Sequence, residues 1–339
     1  MKSTLLEIWI CLILVVSAFF AFRPGALPLQ GDTVNGNGNW YANYMFISKW
    51  KNIPPDSLPK QWRSRQLACY FSKWYLDLTQ PQTQAQEINA FASYNAIWFA
   101  ATLVVLLWMR AGMIPIFGTF AAIICNAMPN YAQYVLPWDM PELFLFALAF
   151  AFYRRQNWIL LGIVIFCGAF VKETILVCGF FFFAAPWPKW AKFSALGGLV
   201  VATQIINALA LPQGHLSWLS YLNAFSLTRV FDLWPIVFAD VGGLILLAYC
   251  LIKKPEWPVI YASGAFILCQ CANNMEHGLY DEFREWSALA PMIFILWQES
   301  LKTEPAPNNP LAPTAAKNRP AKNARPGGTR SSAKIPGTA

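Results

Sequence analysis

Residues 158–185, WILLGIVIFCGAFVKETILVCGFFFFAA, are apolar except where Lys172 and Glu173 stand side by side with Thr174 near the middle. A hydrocarbon core of about 30 Å calls for helices of about 20 residues, so this run is either one overlong span or two short ones. As one span it would put Arg154 and Arg155 on one side of a membrane and Lys189 on the other. Short cytoplasmic loops retain lysine and arginine, which argues against that. As two helices of about 15 and 12 residues, the halves reach about 22 and 18 Å. The turn carrying Lys172 and Glu173 is then expected below the outer surface, where charges are tolerated when paired or facing a polar cavity. Two readings stay open: a functional cavity, or a structural Lys–Glu pair.

The rest of the chain follows the same logic. Of 339 residues, 57% are hydrophobic and 12% charged, against roughly 25% charged in soluble globular chains. An ordinary water-soluble fold is not expected. Apolar segments are predicted at residues 4–22, 91–109, 112–128, 140–153, 157–171, 174–185, 193–211, 233–252, 258–272 and 288–297. The expected fold class is therefore all-α, a polytopic transmembrane helical bundle of about ten spans. Residues 1–299 form the membrane domain, with 23–93 as a large first outer loop. The first segment follows Lys2 and lacks a convincing small-x-small cleavage site, so it reads as an uncleaved span.

Alternating spans collect Lys2, Arg110, Arg154, Arg155, Lys189, Lys192, Lys253 and Lys254 on one side, which is the cytoplasm by the positive-inside rule. Both termini then lie there. Most of the net charge of +8 belongs to residues 300–339, where seven basic residues face only Glu304. That tail is rich in Pro, Ala, Asn and Gly and is expected to be disordered, its charge suiting an anionic inner leaflet rather than nucleic acid. Trp108, Trp138, Trp158, Trp187, Trp234, Trp257 and Trp297 fall at span ends and read as an interfacial belt.

Within the first outer loop, residues 57–79 read as a helix with Ser57 as N-cap. Leu67, Phe71, Trp74 and Leu78 recur at spacings of four, three and four, with Arg65, Gln66, Ser72, Lys73 and Asp77 opposite. Such an amphipathic helix lies in the membrane interface or packs over the bundle. The acids are lopsided: Asp32, Asp139, Glu142, Glu173 and the group from Glu276 to Glu285 fall outside, whereas Glu7, Glu256, Glu299 and Glu304 fall inside. An active site would open outward. Asp139 and Glu142 lie three residues apart and share a helix face, and Asp240 lies about two turns inside its span. Eight scattered cysteines and two histidines show no metal-ligand spacing, and there is no Ser-His-Asp set, Walker loop or zinc motif. No metal and no cofactor is expected.

Several short motifs give the chain a resemblance to the membrane glycosyltransferases of the C superfamily (GT-C fold) and related bacterial polysaccharide-assembly membrane proteins. They are Asp32 with Tyr41 and Tyr44, Gln61-Trp62-Arg63-Ser64-Arg65-Gln66-Leu67, and Trp138-Asp139-Met140-Pro141-Glu142-Leu143-Phe144. Val171-Lys172-Glu173-Thr174 and Glu285 before Pro291 complete the set, which covers roughly residues 1–298. The resemblance implies interfacial helices in the first loop, a polyprenyl-phosphate-linked sugar as donor, and a lipid or glycan acceptor. It implies Asp32 as catalytic carboxylate, activating an acceptor hydroxyl or positioning it. Substrate-binding candidates are Arg63, Arg65, Lys172 and Arg284, which would offset phosphate charge, together with Asp139, Glu142 and Glu173. Many relatives carry two neighbouring acids in this loop, whereas Asp32 stands alone among Asn and Gly. The localisation implied is the bacterial inner membrane. Two other functions fit the residues: a transporter or flippase of lipid-linked oligosaccharide, and a non-catalytic membrane scaffold.

Overall fold

A computed structural model describes residues 2–25, 66–127, 138–210, 234–277 and 287–302, all within one compact unit, Met1–Lys302. Among the described residues all regular structure is helical. The elements are α1 (Lys2–Gly25), α2 (Gln66–Thr79), α3 (Gln84–Trp108), α4 (Met113–Ala127), α5 (Asp139–Arg154) and α6 (Trp158–Gly168). A 3-10 helix (Glu173–Ala184), α7 (Lys189–Ala210), α8 (Trp234–Lys253), α9 (Trp257–His277) and α10 (Ala290–Lys302) follow. Every apolar segment read from the sequence falls on one of these helices, and α2 matches residues 66–79 of the helix expected at 57–79, whose start at Ser57 lies outside the described residues. Two stretches, Thr4–Arg23 and Ile88–Trp108, are long and apolar enough to cross a membrane, at mean hydropathies of 2.6 and 1.8. The other apolar helices among the described residues are shorter, including Trp158–Gly168 and Glu173–Ala184.

Local chemistry sets several boundaries. Thr83 and Gln86 form a reciprocal capping box that starts α3, satisfying two donors a helix start would otherwise orphan. At the start of α5, Pro141 sits in the first turn, where a missing N–H costs nothing. Asp139 and Glu142 occupy the same turn and Arg154 the last, so charges at both ends favour the helix dipole. Arg155 caps α5, Gln156 turns at φ +55, and Asn157 accepts the Leu160 N–H to start α6 at 3.2 Å.

The run at residues 158–185 folds as an antiparallel hairpin with its turn at 169–172. Trp158 lies 6.1 Å from Trp187, and Phe182 stacks on Trp187 at 5.5 Å. At the closed end the helices approach so tightly that a Cβ on Gly168 would overlap Ile175. The second arm departs from expectation: it is a 3-10 helix, rising about 2.0 Å per residue, so its 12 residues reach about 24 Å rather than about 18 Å. A three-residue repeat lines up Ile175, Cys178 and Phe181, its most deeply buried side chains. That ridge is held by packing, because α5, α6, α7 and α9 all touch this helix.

Around the hairpin, α5 is the hub and packs on α3, α6, α10 and the 3-10 helix. α4 packs on α1 and α10, and α8 on α10 and α4. Outward faces are apolar on most helices, with Leu5, Trp9, Leu12 and Val16 exposed on α1, Val104 on α3, Ile163 on α6, Val201 on α7, Ile252 on α8 and Leu268 on α9.

α2 corrects the expected four-three-four stripe. Leu67 and Phe71 pack on the core beside buried Ala68 and Ser72, whereas Trp74 and Leu78 are exposed together with Tyr70. The inward face is set by Phe71 against Trp98 at 5.3 Å and by Tyr75, which shares a 2.7 Å hydrogen bond with Ser93. Small side chains at 68 and 72 let the backbone approach. The outward stripe therefore runs at strict four-residue spacing, one row over from the expected one.

Candidate functional site

Three chain-distant features meet at the N-terminal end of α5. Lys172, in extended backbone at φ −157 and ψ 132, precedes the 3-10 helix. Its approach is fixed by the turn, where the Val171 and Lys172 amides both donate to Gly168 O at 2.8 and 2.9 Å. Extension after that turn carries the side chain toward α5. There Lys172 Nζ donates to Glu142 Oε2 at 2.7 Å and lies 3.8 Å from Asp139 Oδ1. Thr174 Oγ1 donates to the other carboxylate oxygen of Glu142. Lys172 is 0% exposed and Glu142 1%.

Taking two charges out of water costs several kcal/mol each, so a pair this enclosed persists only when its remaining lone pairs and protons are also used. Glu142 meets that requirement with one oxygen on the ammonium and one on the threonine hydroxyl. The N-terminal dipole of α5 adds to the attraction for both of its carboxylates.

The roof of this turn comes from α2. Its Leu67 N–H, one of the orphan donors of a helix start, donates to Phe170 O at 3.0 Å. From α2 an aromatic series runs inward, Phe71 to Trp98 at 5.3 Å and Trp98 to Phe144 at 5.4 Å, ending on α5 two residues after Glu142. Trp138, fully buried, precedes the carboxylates.

Three of the residues singled out from sequence thus come together, Asp139, Glu142 and Lys172, and Glu173 follows Lys172, half-buried, in the first turn of the 3-10 helix. Asp32, Arg63, Arg65 and Arg284 lie outside the described residues, and of Asp240 only its place in α8 is described. The cluster sets one ammonium against two carboxylates, Glu142 at 2.7 Å and Asp139 at 3.8 Å. Its charges are satisfied within the protein, Lys172 by carboxylates and both Glu142 oxygens by protein donors.

Thr174 was not visible to sequence reasoning as part of the site; its signal is a hydroxyl two residues from a lysine that has to be buried. A second network was also missed. At the other end of α5, Arg154 meets Glu256 at 3.2 Å and Glu299 at 3.0 Å. The Tyr153 hydroxyl donates to Glu256 at 3.2 Å, and Lys254 lies 3.7 Å from Glu299. The signal was present, since the charge pattern of the sequence assigns Glu256 and Glu299 to the same side as Arg154 and Lys254.

Among the described residues no group of three His, Cys, Asp or Glu side chains is placed to hold a metal ion. A separate apolar cavity of about 270 Å³ lies between α4, α8 and α10, lined by Ala121, Cys125, Gly242, Gly243, Ile293 and Phe294 among others. It does not adjoin the ionic cluster. The chain matches no family model, and no curated protein or solved structure shows significant similarity to it.

Proposed function

We propose that this is a polytopic membrane protein of about ten spans with both termini in the cytoplasm, and that it transfers a sugar from a polyprenyl-phosphate carrier to a lipid or polysaccharide acceptor at the outer face. The observation that carries the reading is the enclosed meeting of Glu142, Lys172 and Thr174 at one end of α5, 30 residues of sequence separating the paired charges. Ionisable groups inside a membrane bundle are expensive and mark functional paths. The apolar outer faces of most helices support the membrane setting, since exposed apolar surface of this extent suits contact with lipid.

In this reading Asp32 serves as general base for the acceptor hydroxyl. Asp139 and Glu173 border the cluster and orient sugar hydroxyls. Glu142 and Lys172 form its fixed floor, holding the α5 start against the hairpin turn. Because Lys172 already serves two carboxylates, Arg63, Arg65 and Arg284 carry the work of offsetting phosphate charge.

Membrane vesicles supplied with labelled polyprenyl-phosphate sugar test this directly. Wild type should form labelled product, and Asp32→Asn should lower the rate at least about 100-fold, as expected for loss of a general base. Full transfer by Asp32→Asn removes that role. A reporter fused after Arg155 should report cytoplasm and one after Gln213 the outside; the reverse overturns the orientation and the site with it.

A second reading, transport of a lipid-linked oligosaccharide, draws on the same enclosed pair, because oppositely charged side chains buried together in a bundle also serve as relays in transporters. Movement of labelled carrier across vesicles in which wild type transfers no sugar would select it.

A further inference from the structure

We infer that the end of the bundle opposite the ionic cluster carries a binding site for the headgroup of an anionic phospholipid, built where the starts of α7 and α9 meet the end of the 3-10 helix. The inference rests on the membrane setting proposed above.

Phe183, near the last turn of the 3-10 helix, ties the three elements together. Its ring lies 5.1 Å from Phe193 of α7 and 6.1 Å from Tyr261 of α9. Tyr261 stacks with Trp257 at 6.1 Å. Trp190, Phe193, Trp257 and Tyr261 are nevertheless all exposed. They form an aromatic surface of the amphipathic kind found at headgroup level.

Two lysines stand at the edge of this surface. Lys189 and Lys192, three residues apart in the first turn of α7, share a face. α7 contains no acid, so nothing on their own helix offsets that repulsion, and cations at this end also oppose the helix dipole. Lys192 Nζ donates to Phe183 O at 2.8 Å, which fixes the ammonium beside the aromatic rings. An ammonium has three donors, so two remain for an outside acceptor. The nearest acids in sequence at this end point elsewhere: Glu256 takes Arg154 and Tyr153, and Glu299 takes Arg154 and Lys254. Paired lysines edged by exposed tryptophan and tyrosine fit a lipid phosphate with its acyl chains alongside. Basic pockets between helices on the cytoplasmic side bind anionic headgroups in this way.

The test uses the full chain, first in membranes and then in mixed micelles. Membranes are washed with alkaline carbonate; release of the chain overturns the membrane reading and this inference together. With the chain retained and purified, thermal unfolding is followed with phosphatidylglycerol and with phosphatidylcholine added separately. Wild type should be stabilised by phosphatidylglycerol over phosphatidylcholine, and Lys189→Gln/Lys192→Gln should lose roughly half or more of that difference. Lys189→Arg/Lys192→Arg should keep it, which separates charge from misfolding. A control pair at the same end, Lys253→Gln/Lys302→Gln, should leave it intact. No preference for phosphatidylglycerol in wild type, or an equal loss in the control pair, overturns the site while leaving the proposed transfer standing.

Discussion

Both ends of α5 are ionic, and they are built on opposite principles. At its N-terminal end a single lysine with 1% of its side chain exposed is enclosed by Glu142 and approached by Asp139. At its C-terminal end Arg154, 25% exposed, is shared by Glu256 and Glu299, and Lys254, 50% exposed, serves Glu299 as well. The first network has no slack: each charge depends on a partner that water cannot replace. The second is redundant and hydrated, so losing one member leaves others to compensate. Enclosed pairs add little net stability over an apolar core of the same shape. That the chain keeps one at only one end of the hub helix is the physical reason to place chemistry there and anchoring at the other.

The sharpest way to break this comparison is to remove one enclosed partner. Glu142→Leu leaves the Lys172 ammonium buried without its 2.7 Å partner. The expected loss is about 3–5 kcal/mol, the range for an orphaned buried charge. Thermal unfolding in detergent would register it as a fall in midpoint well beyond that of Arg154→Gln. Removing both charges, as Glu142→Gln with Lys172→Met, should recover most of the loss, because an uncharged pair carries no desolvation debt. If Glu142→Leu unfolds no earlier than Arg154→Gln, the two ends do not differ and the site loses its argument.

How far these features could be read in advance depends on their range. The helices were legible because hydropathy is local: residues 140–153 predicted and α5 observed differ by a residue at each end. Asp139 and Glu142 were legible as a pair because three-residue spacing is itself local geometry. Lys172 was legible as a misfit in an apolar run, but its choice of Glu142 over adjacent Glu173 was not. That choice comes from the extended backbone at Lys172, imposed by the turn at Gly168. The 3-10 winding of Glu173–Ala184 was illegible for a related reason: four packed neighbours, not its own residues, select it. α2 shows the limit most clearly. Its helix was legible, but the four-three-four stripe was not a single face, and only contacts such as that of Phe71 with Trp98 show which row turns inward.

An intermediate effect tests whether the enclosed network depends on its hydroxyl. Thr174→Val keeps shape and removes the donor to Glu142. A hydrogen bond to a charged, buried group is worth about 1.5–3 kcal/mol, so this variant should fall between Glu142→Leu and any single change at the other end. Thr174→Ser should retain most of the stability. A loss for Ser with none for Val would mean that packing of the γ-methyl, rather than the bond, matters at this position.

The smallest effect belongs to Lys254→Gln, and its salt dependence sharpens the comparison most finely. At 3.7 Å from Glu299 and half-exposed, Lys254 is expected to contribute about 0.2–1 kcal/mol. Raising ionic strength from about 0.1 to about 1 M shortens the screening length from about 10 to about 3 Å, which should erase that contribution. The cost of Glu142→Leu should hold across the same range, because ions do not penetrate between Lys172 and its partners. Measuring both variants at low and high salt therefore reads enclosure itself, independently of how large either energy is. A Glu142→Leu penalty that fades with salt as the Lys254→Gln penalty does would place water, and not protein, around Lys172.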